Sequence, residues 1–450
     1  MHSTAPVMGQ EALLQQMSEQ VQTMVAELVA LVSQRPQSLA DVEQAVLARL
    51  KPLGNALLTG LCQLQAPRYP APTVACTCGG VAVYQRQRTG QCKTLLGPLR
   101  LKRAYYLCAD CHRGCSPLDQ QVGFCAGSIS AGLDELLALL GCQFSFAQSA
   151  ALVARLSLVE VSANRCRHST EALGQRVAAS EEAERQQVWE QPAVYHAPAC
   201  DAPLEPLYLS ADGVTVHTCE SGWREQCVGA VYTAQPNRHG VRTQAASYVT
   251  DLGSRTDFSQ QLWLEAQRRG LAQAQRVVFI GDGAQWLWAT AHDLFPEALQ
   301  ILDWYHASTY VWAVAHELHP QATTAARQWA EAHLALLAHS HTDQLLDHLH
   351  SLAPTLPAAR TALTYLTNNR SRLDYARYRQ LGLQIGSGTI ESACNHLIGA
   401  RLKQAGMRWS LTNARAVGKL RARLKSGRWS QTLALRPPPH RSYHRLAVST

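Results

Sequence analysis

Apolar residues recur at helical spacing near the start of the chain, where Leu13, Leu14, Met17, Val21, Met24, Val25, Leu28 and Val32 lie mostly three or four apart. The pattern breaks at "SQRPQS" and resumes through "LADVEQAVLARL". Residues 10–66 therefore predict a helical hairpin used for packing or self-association. "QAPRYPAP" at 65–72 reads as a proline-marked linker. Between 74 and 122 the pattern changes to short alternating segments around Gly90 and a Gly-Pro pair, which predict strands. Helical spacing returns over 128–180. There a helix over 146–155, a short turn and a helix from Ser162 have the rhythm of a helix-turn-helix, which equally suits a packed helix pair with no nucleic-acid role. The charged, then proline-dotted stretch "SEEAERQQVWEQPAVYHAPACDAPLEP" reads as a linker and puts a domain boundary near 200.

From 205 the pattern is α/β. "PLYLSADGVTVH", "EQCVGAVYTA" and "QAASYVTD" predict three close strands in an antiparallel meander. "FSQQLWLEAQRRGL" predicts a helix, and "QRVVFIGDG" and "ALQILD" predict buried strands, each followed by a helix. Residues 320–376 carry only helical signal, and "IGSGTIESACNHLIGARL" starts a further helix after a Gly-Ser-Gly turn. A meander, βα units, an all-helical insertion and a final helix make the order of a ribonuclease-H-like core. The chain reads as multidomain: a helical region over 1–70, a zinc-ribbon-like β module over 71–125, and a helix-turn-helix DNA-binding region with linker over 126–200. The α/β ribonuclease-H-like core follows over 201–318, interrupted by an all-helical insertion over 319–380. Its final helices span 381–430, and a basic tail spans 431–450.

Composition narrows the function classes. With 450 residues and 46% apolar content the chain has enough hydrophobic material for a globular core, not a disordered polymer. No apolar run reaches the ~18 residues that span a membrane, and the N-terminus carries no charged-then-apolar leader, so the expectation is a cytoplasmic protein with no membrane partner. The net charge of +8 is concentrated between Arg401 and Arg445, the footprint of a polyanion partner such as double-stranded DNA. Several of the 14 cysteines cluster between Cys76 and Cys115. In a chain without a leader that suggests metal before disulfides. The candidate zinc ligands are Cys76, Cys78, Cys108 and Cys111, with Cys115 and His112 in reserve. The C-x-x-C half is a regular knuckle, the C-x-C half is off the usual spacing, and a metal-free hairpin with unused thiols stays open.

Three acids sit where a nuclease core needs them: Asp212 in "SADGV", Asp282 in "IGDGAQW" and Glu391 in "GSGTIESA". Phosphodiester chemistry needs an attacking oxygen activated and a leaving oxygen stabilised, which two Mg²⁺ (or Mn²⁺) ions about 3.5–4 Å apart can do. Carboxylates suit those hard cations, and close carboxylates repel one another without them. Singly, each acid is as easily a turn residue or a helix-dipole partner. In "LQILDWYHAS", Asp303 ends a buried strand and His306 follows three residues on, a pair that suits a helix cap or support of an active site. Arg165, Arg167, Arg401, Lys403, Arg408 and Trp409 are the candidate DNA contacts, with "KLRARLKSGRW" at 419–429 repeating the cation-aromatic type.

The motifs "YLSADGVTV", "RVVFIGDGAQWLW", "LFPEALQILDWYHAS" and "IGSGTIESACNHLIGARLKQAGMRWS", with the cysteine module before them, resemble bacterial insertion-sequence DDE transposases of the Kra type, relatives of the Mutator group, over roughly residues 75–430. The resemblance implies a ribonuclease-H-like core with Asp212, Asp282 and Glu391 as the metal-binding triad. It also implies that Asp303 and His306 match a Cys- or Asp-x-x-His element. One departure is "CTCGG", where C-x-x-C-G-G is expected. The expected activity is binding of terminal inverted repeats, metal-dependent strand cleavage and strand transfer, by a homo-oligomer that is at least a dimer on DNA, in the bacterial nucleoid. A DNA-binding repressor or domesticated, inactive derivative is the alternative. A zinc hydrolase ranks last, since no H-E-x-x-H or comparable spacing occurs.

Overall fold

The two apolar stretches at the start of the chain form helices α1 (Gln10–Gln34) and α2 (Leu39–Leu64) in a computed structural model that describes residues 9–66, 70–157, 159–191, 206–237 and 240–436. Ser38 begins α2 with a capping box: its hydroxyl accepts from the Asp41 N–H, and the Asp41 carboxylate accepts from the Ser38 N–H. The alternating segments form an antiparallel sheet in the order β1-β2-β3-β4, from Thr73–Ala75, Val81–Thr94, Gly97–Cys108 and Gly114–Cys115. Helices α3 (Pro117–Val122), α4 (Ala131–Gln143), α5 (Phe146–Ser157) and α6 (Ala163–Glu190) follow. Leu133 and Leu137 of α4, Val153 of α5 and Cys166 of α6 share one buried cluster.

The described chain divides into two compact units between Thr170 and Glu171, inside α6, with Arg436 returning to the first unit. This differs from the boundary expected near 200. The acidic stretch from Ser180, read as the start of a linker, belongs to α6; the linker's remainder at 192–200 and the tail at 437–450 lie outside the described residues.

The second unit is built on a mixed five-stranded sheet in the order β7-β6-β5-β8-β9. Strands β5 (Leu207–Thr218), β6 (Gly222–Asn237) and β7 (Gly240–Asp251) are the antiparallel meander, while β8 (Val277–Gly281) and β9 (Leu299–Leu302) run parallel to β5. Helices α7 (Arg255–Arg268) and α8 (Gln285–Leu294) make the connections. The helical stretch then comprises α9 (Trp304–Leu318), α10 (Thr323–Ala338), α11 (Thr342–Leu352), α12 (Pro357–Asn368) and α13 (Tyr375–Gln380). It covers the outer edge of the sheet, where the Tyr375 hydroxyl donates to the Leu302 carbonyl at 2.9 Å and Tyr378 to Gln300 at 3.4 Å, so β9 does not offer a bare edge. Helix α14 (Gly388–Ala393) passes through a π-helical turn (Cys394–Gly399) into α15 (Ala400–Leu402), and α16 (Leu411–Lys425) and α17 (Trp429–Ala434) close the unit. Among the described residues no helix is long and apolar enough to cross a membrane.

The basic run of α16 turns inward. Lys419, with its side chain fully buried, lies 2.8 Å from Asp251 of β7 and 3.1 Å from Glu181 of α6. Arg415 pairs with Asp251 at 2.8 Å, Arg423 with Glu181 at 2.7 Å, and Arg428 with Glu265 of α7. Arg421 donates to the carbonyls of His396 and Leu397. Of the cations of 419–429 expected to face nucleic acid, Lys419, Arg423 and Arg428 are spent within the unit on acids 163 to 242 positions away and Arg421 on nearby carbonyls, while Lys425 is exposed. Burial pushes the Asp251 carboxyl up, but Lys419 and Arg415 outweigh it and hold it down at about 2.

Removing one partner of a buried pair leaves an uncompensated charge. Lys419→Ala should destabilise the second unit by about 3–5 kcal/mol in denaturant unfolding. Asp251 is depressed in the folded state, so its contribution is complete above the ordinary carboxylate range and lost as pH falls toward about 2. Acid unfolding of the wild type followed by circular dichroism should show this loss, and Asp251→Asn should blunt it.

Candidate functional site

Parallel pairing sets Ser210 of β5 opposite Ile280 of β8, and Gly281 of β8 opposite Leu302 of β9. Carried to the next residues, the same register puts Asp212, Asp282 and Asp303 in one row across three neighbouring strands. The Asp303 N–H, which donates to the Gly281 carbonyl at 2.8 Å, extends the ladder to that row. Asp212 accepts from the Gly213 N–H at 2.6 Å, and Asp282 from the Ala284 N–H at 3.0 Å. Burial raises the Asp212 carboxyl above its usual range, and the neighbouring Asp282 charge raises it further.

Asp303 is 1% exposed and fully engaged. It caps α9 by accepting from the N–H groups of Tyr305 (3.1 Å) and His306 (3.2 Å), and it accepts from the Ser387 N–H at 3.1 Å and hydroxyl at 2.8 Å. Trp304 N–H donates to the Ile385 carbonyl at 2.9 Å beside it. The Gly-Ser-Gly turn is therefore clamped to the end of β9, and the Ser387 hydroxyl sits 3.2 Å from Glu391 Oε1, one turn into α14. Asp303 accordingly acts as a cap and clamp. His306 packs beside Tyr310 and Tyr365, at 6.0 and 6.1 Å between ring centres, and Tyr365 donates to the Asp282 carbonyl at 2.5 Å. The histidine thus joins an aromatic group seated on the backbone of Asp282.

Glu391 is exposed. Between it and Asp212 lies Cys394, whose Sγ is 3.8 Å from Asp212 Oδ2 and whose thiol is pushed well up by burial, then by the charges of Asp212 and Glu391. The sheet and α14 thus bring Asp212, Asp282 and Glu391 to one locality, but not to a closed chelate. Among the described residues, only the four cysteines place three or more ligand atoms within 4.8 Å of one another. Sequence reading missed Cys394, Ser387, Glu225 and Arg255. The first two lie one turn from Glu391 on its own helix face, a signal open to inspection. Glu225, on β6, overlies Gly213, where a Cβ would strike its carboxylate; it pairs with Arg255 at 2.7 Å, and the guanidinium lies 5.4 Å from the Trp286 ring centre. Only the β5–β6 register could have shown that.

The candidate DNA contacts divide. Arg165 and Arg167 are exposed on the first turns of α6, Arg167 bonding Asn164, and Lys403 and Arg408 are exposed on the loop before α16. Arg401 and Trp409 do not fit the expectation. They are 0% and 6% exposed, with the guanidinium stacked 4.8 Å from the indole centre, and Trp409 donates to the Leu402 carbonyl at 3.2 Å. Each satisfies the other's need for an aromatic or cationic partner, inside the fold.

In the first unit, the turn between β1 and β2 carries Cys76 and Cys78, and the turn between β3 and β4 carries Cys111 next to Cys108. Sγ atoms of Cys76 and Cys111 lie 3.5 Å apart, those of Cys78 and Cys108 3.7 Å. Four thiolates at ~2.3 Å from a tetrahedral zinc stand about 3.8 Å apart, so this group can hold a zinc ion despite its C-x-C half. The backbone N–H of Cys78 contributes most to drawing the Cys76 thiol down to about 6, which favours the thiolate that a metal binds. Of the reserves, Cys115 joins the apolar cluster with Tyr106 and Ala82, and His112 occupies a left-handed turn position (φ 53°) outside the four-sulfur group.

Two outcomes follow. Metal analysis should find about one zinc per chain, reduced to none by Cys108→Ser, with chelation lowering the melting temperature. A chain that purifies metal-free and does not take up zinc defeats this assignment. Because the folded-state carboxyl of Asp212 is raised, its contribution to stability is present at low pH and lost as pH rises through that value. Asp212→Asn should therefore raise the melting temperature at neutral pH in the absence of divalent cations, which a thermal scan of both proteins will read.

A comparison with curated proteins gives no match. A family model matches residues 82–433, a span that includes the acid row, Glu391 and the Cys108–Cys111 half of the sulfur group. The chain belongs to the uncharacterised protein family UPF0236.

Proposed function

We propose that this chain is a DDE-type transposase of the Kra, Mutator-related kind, which binds the terminal inverted repeats of an insertion sequence and cuts and transfers DNA strands. The observation that carries the reading is the row of acids on adjacent parallel strands, with Glu391 delivered to it by a clamped helix. The family's relation to transposases supports it. So does the strand order, three antiparallel strands followed by two parallel ones, which is that of a ribonuclease-H-like core.

Asp212, Asp282 and Glu391 would hold Mg²⁺ or Mn²⁺. Their oxygens are the hard donors those ions prefer, burial and then the Asp282 charge raise the Asp212 carboxyl, and Mg²⁺ commonly takes only one or two carboxylates beside water and substrate phosphate. When bound, such ions activate the attacking oxygen and stabilise the leaving one. The chain's own groups set the stage: Asp303 and Ser387 fix the turn that carries Glu391, Tyr365 fixes the backbone at Asp282, and Arg255 holds Glu225, whose carboxylate overlies Gly213 next to Asp212. Exposed Arg165, Arg167, Lys403 and Arg408 are the proposed phosphate contacts, with α5 and α6 as the helix-turn-helix.

The test uses DNA flanking the gene, searched for matched inverted repeats and supplied on a plasmid with Mg²⁺ or Mn²⁺. The wild type should nick at the repeat ends. Asp212→Asn, Asp282→Asn and Glu391→Gln should each reduce cutting to background while a binding assay stays unchanged. Cutting near the wild-type rate by any of the three removes that residue from the site. Binding of the ends with no metal-dependent cutting by the wild type leaves the repressor reading in place of the enzyme.

A further inference from the structure

The helical hairpin of the first unit carries more apolar surface than its own packing consumes. Helix α1 uses one seam internally, with Leu13 buried over Gly60 of α2. A second seam, offset by one residue, stays open: Leu14, Val21, Val25 and Val32 are 40–63% exposed and lie at intervals of seven, four and seven. Helix α2 has its own: Leu47, Leu50, Leu57 and Leu61 are 40–48% exposed at intervals of three, seven and four, the heptad pattern of a bundle seam. No charged side chain falls among those positions.

We propose that this face is a homodimer interface, with the hairpins of two copies closing a four-helix bundle. A two-fold axis can set α1 of one copy on α2 of the other and the reverse, so that both open seams are covered at once. With Val29 and Leu39, ten large aliphatic side chains of the hairpin are at least two-fifths exposed. Burying their exposed portions removes on the order of 450 Å² of apolar surface per copy. A stable interface takes about 800 Å² per partner, a little over half of it apolar, so the hairpin alone supplies close to the apolar share required.

Light scattering and sedimentation of the full-length chain without DNA test the proposal. The wild type should have twice the chain mass at tens of micromolar, and Leu50→Glu/Leu57→Glu should be monomeric with an unchanged circular dichroism spectrum. A monomeric wild type at that concentration, or a glutamate variant that remains dimeric, overturns it. Should the glutamate variant lose its helical signal, Leu57→Ala/Leu61→Ala decides: its dimer dissociation constant must rise by about tenfold or more, and an unchanged constant again overturns the interface.

Discussion

The register of three parallel-adjacent strands is the constraint on which the second unit rests. With Ser210 opposite Ile280 and Gly281 opposite Leu302, residues 212, 282 and 303 fall into a single row. A slip of one residue on β8 would turn Asp282 to the other face of the sheet, away from Asp212 and Asp303. Val278, Phe279 and Ile280 are all fully buried, so close packing on both faces of β8 resists that slip. Geometry at the acid row is therefore enforced by hydrophobic burial several residues away.

Asp303 shows how a carboxylate can be indispensable to such a row without being reactive. Its two oxygens accept four hydrogen bonds, two from the helix it caps and two from Ser387. A carboxylate so engaged has little lone-pair capacity left for a metal. It converts the end of an edge strand into an anchor for a turn eighty-odd residues later, and that turn sets where α14 begins. The aromatic group of His306, Tyr310 and Tyr365 works similarly on Asp282, gripping its backbone at the carbonyl.

Much of this was legible in the sequence because it is local. Asp212, Asp282 and Asp303 each stand at or near the end of a run of apolar residues, and the β strands announce themselves by alternation or burial. What stayed hidden is pairing over distance. Glu181 meets Lys419 across 238 positions, so the acidic half of α6 looked like a solvated linker and the cations of α16 looked unclaimed. Arg401 and Trp409 have the residue types of a nucleic-acid contact, and type alone does not say whether the partner is a base or each other. The C-x-C half of the sulfur group looked irregular because spacing rules describe one turn, while the positions of its sulfurs are set by two turns at the ends of paired strands.

The ion cluster around Lys419 also bears on how the molecule is made. Asp251 and Glu181 leave the ribosome long before α16 does, and until α16 arrives they lack Lys419, which they share, and their further partners Arg415 and Arg423. Asp251 is fully buried in the sheet that carries Asp212, and a buried carboxylate is costly before its paired cations are in place. A chain cut short before α16 would lack the ion pairs made by Arg415, Lys419 and Arg423. The core around Asp251 is therefore completed by one of the last described helices, long after the strand that carries the acid.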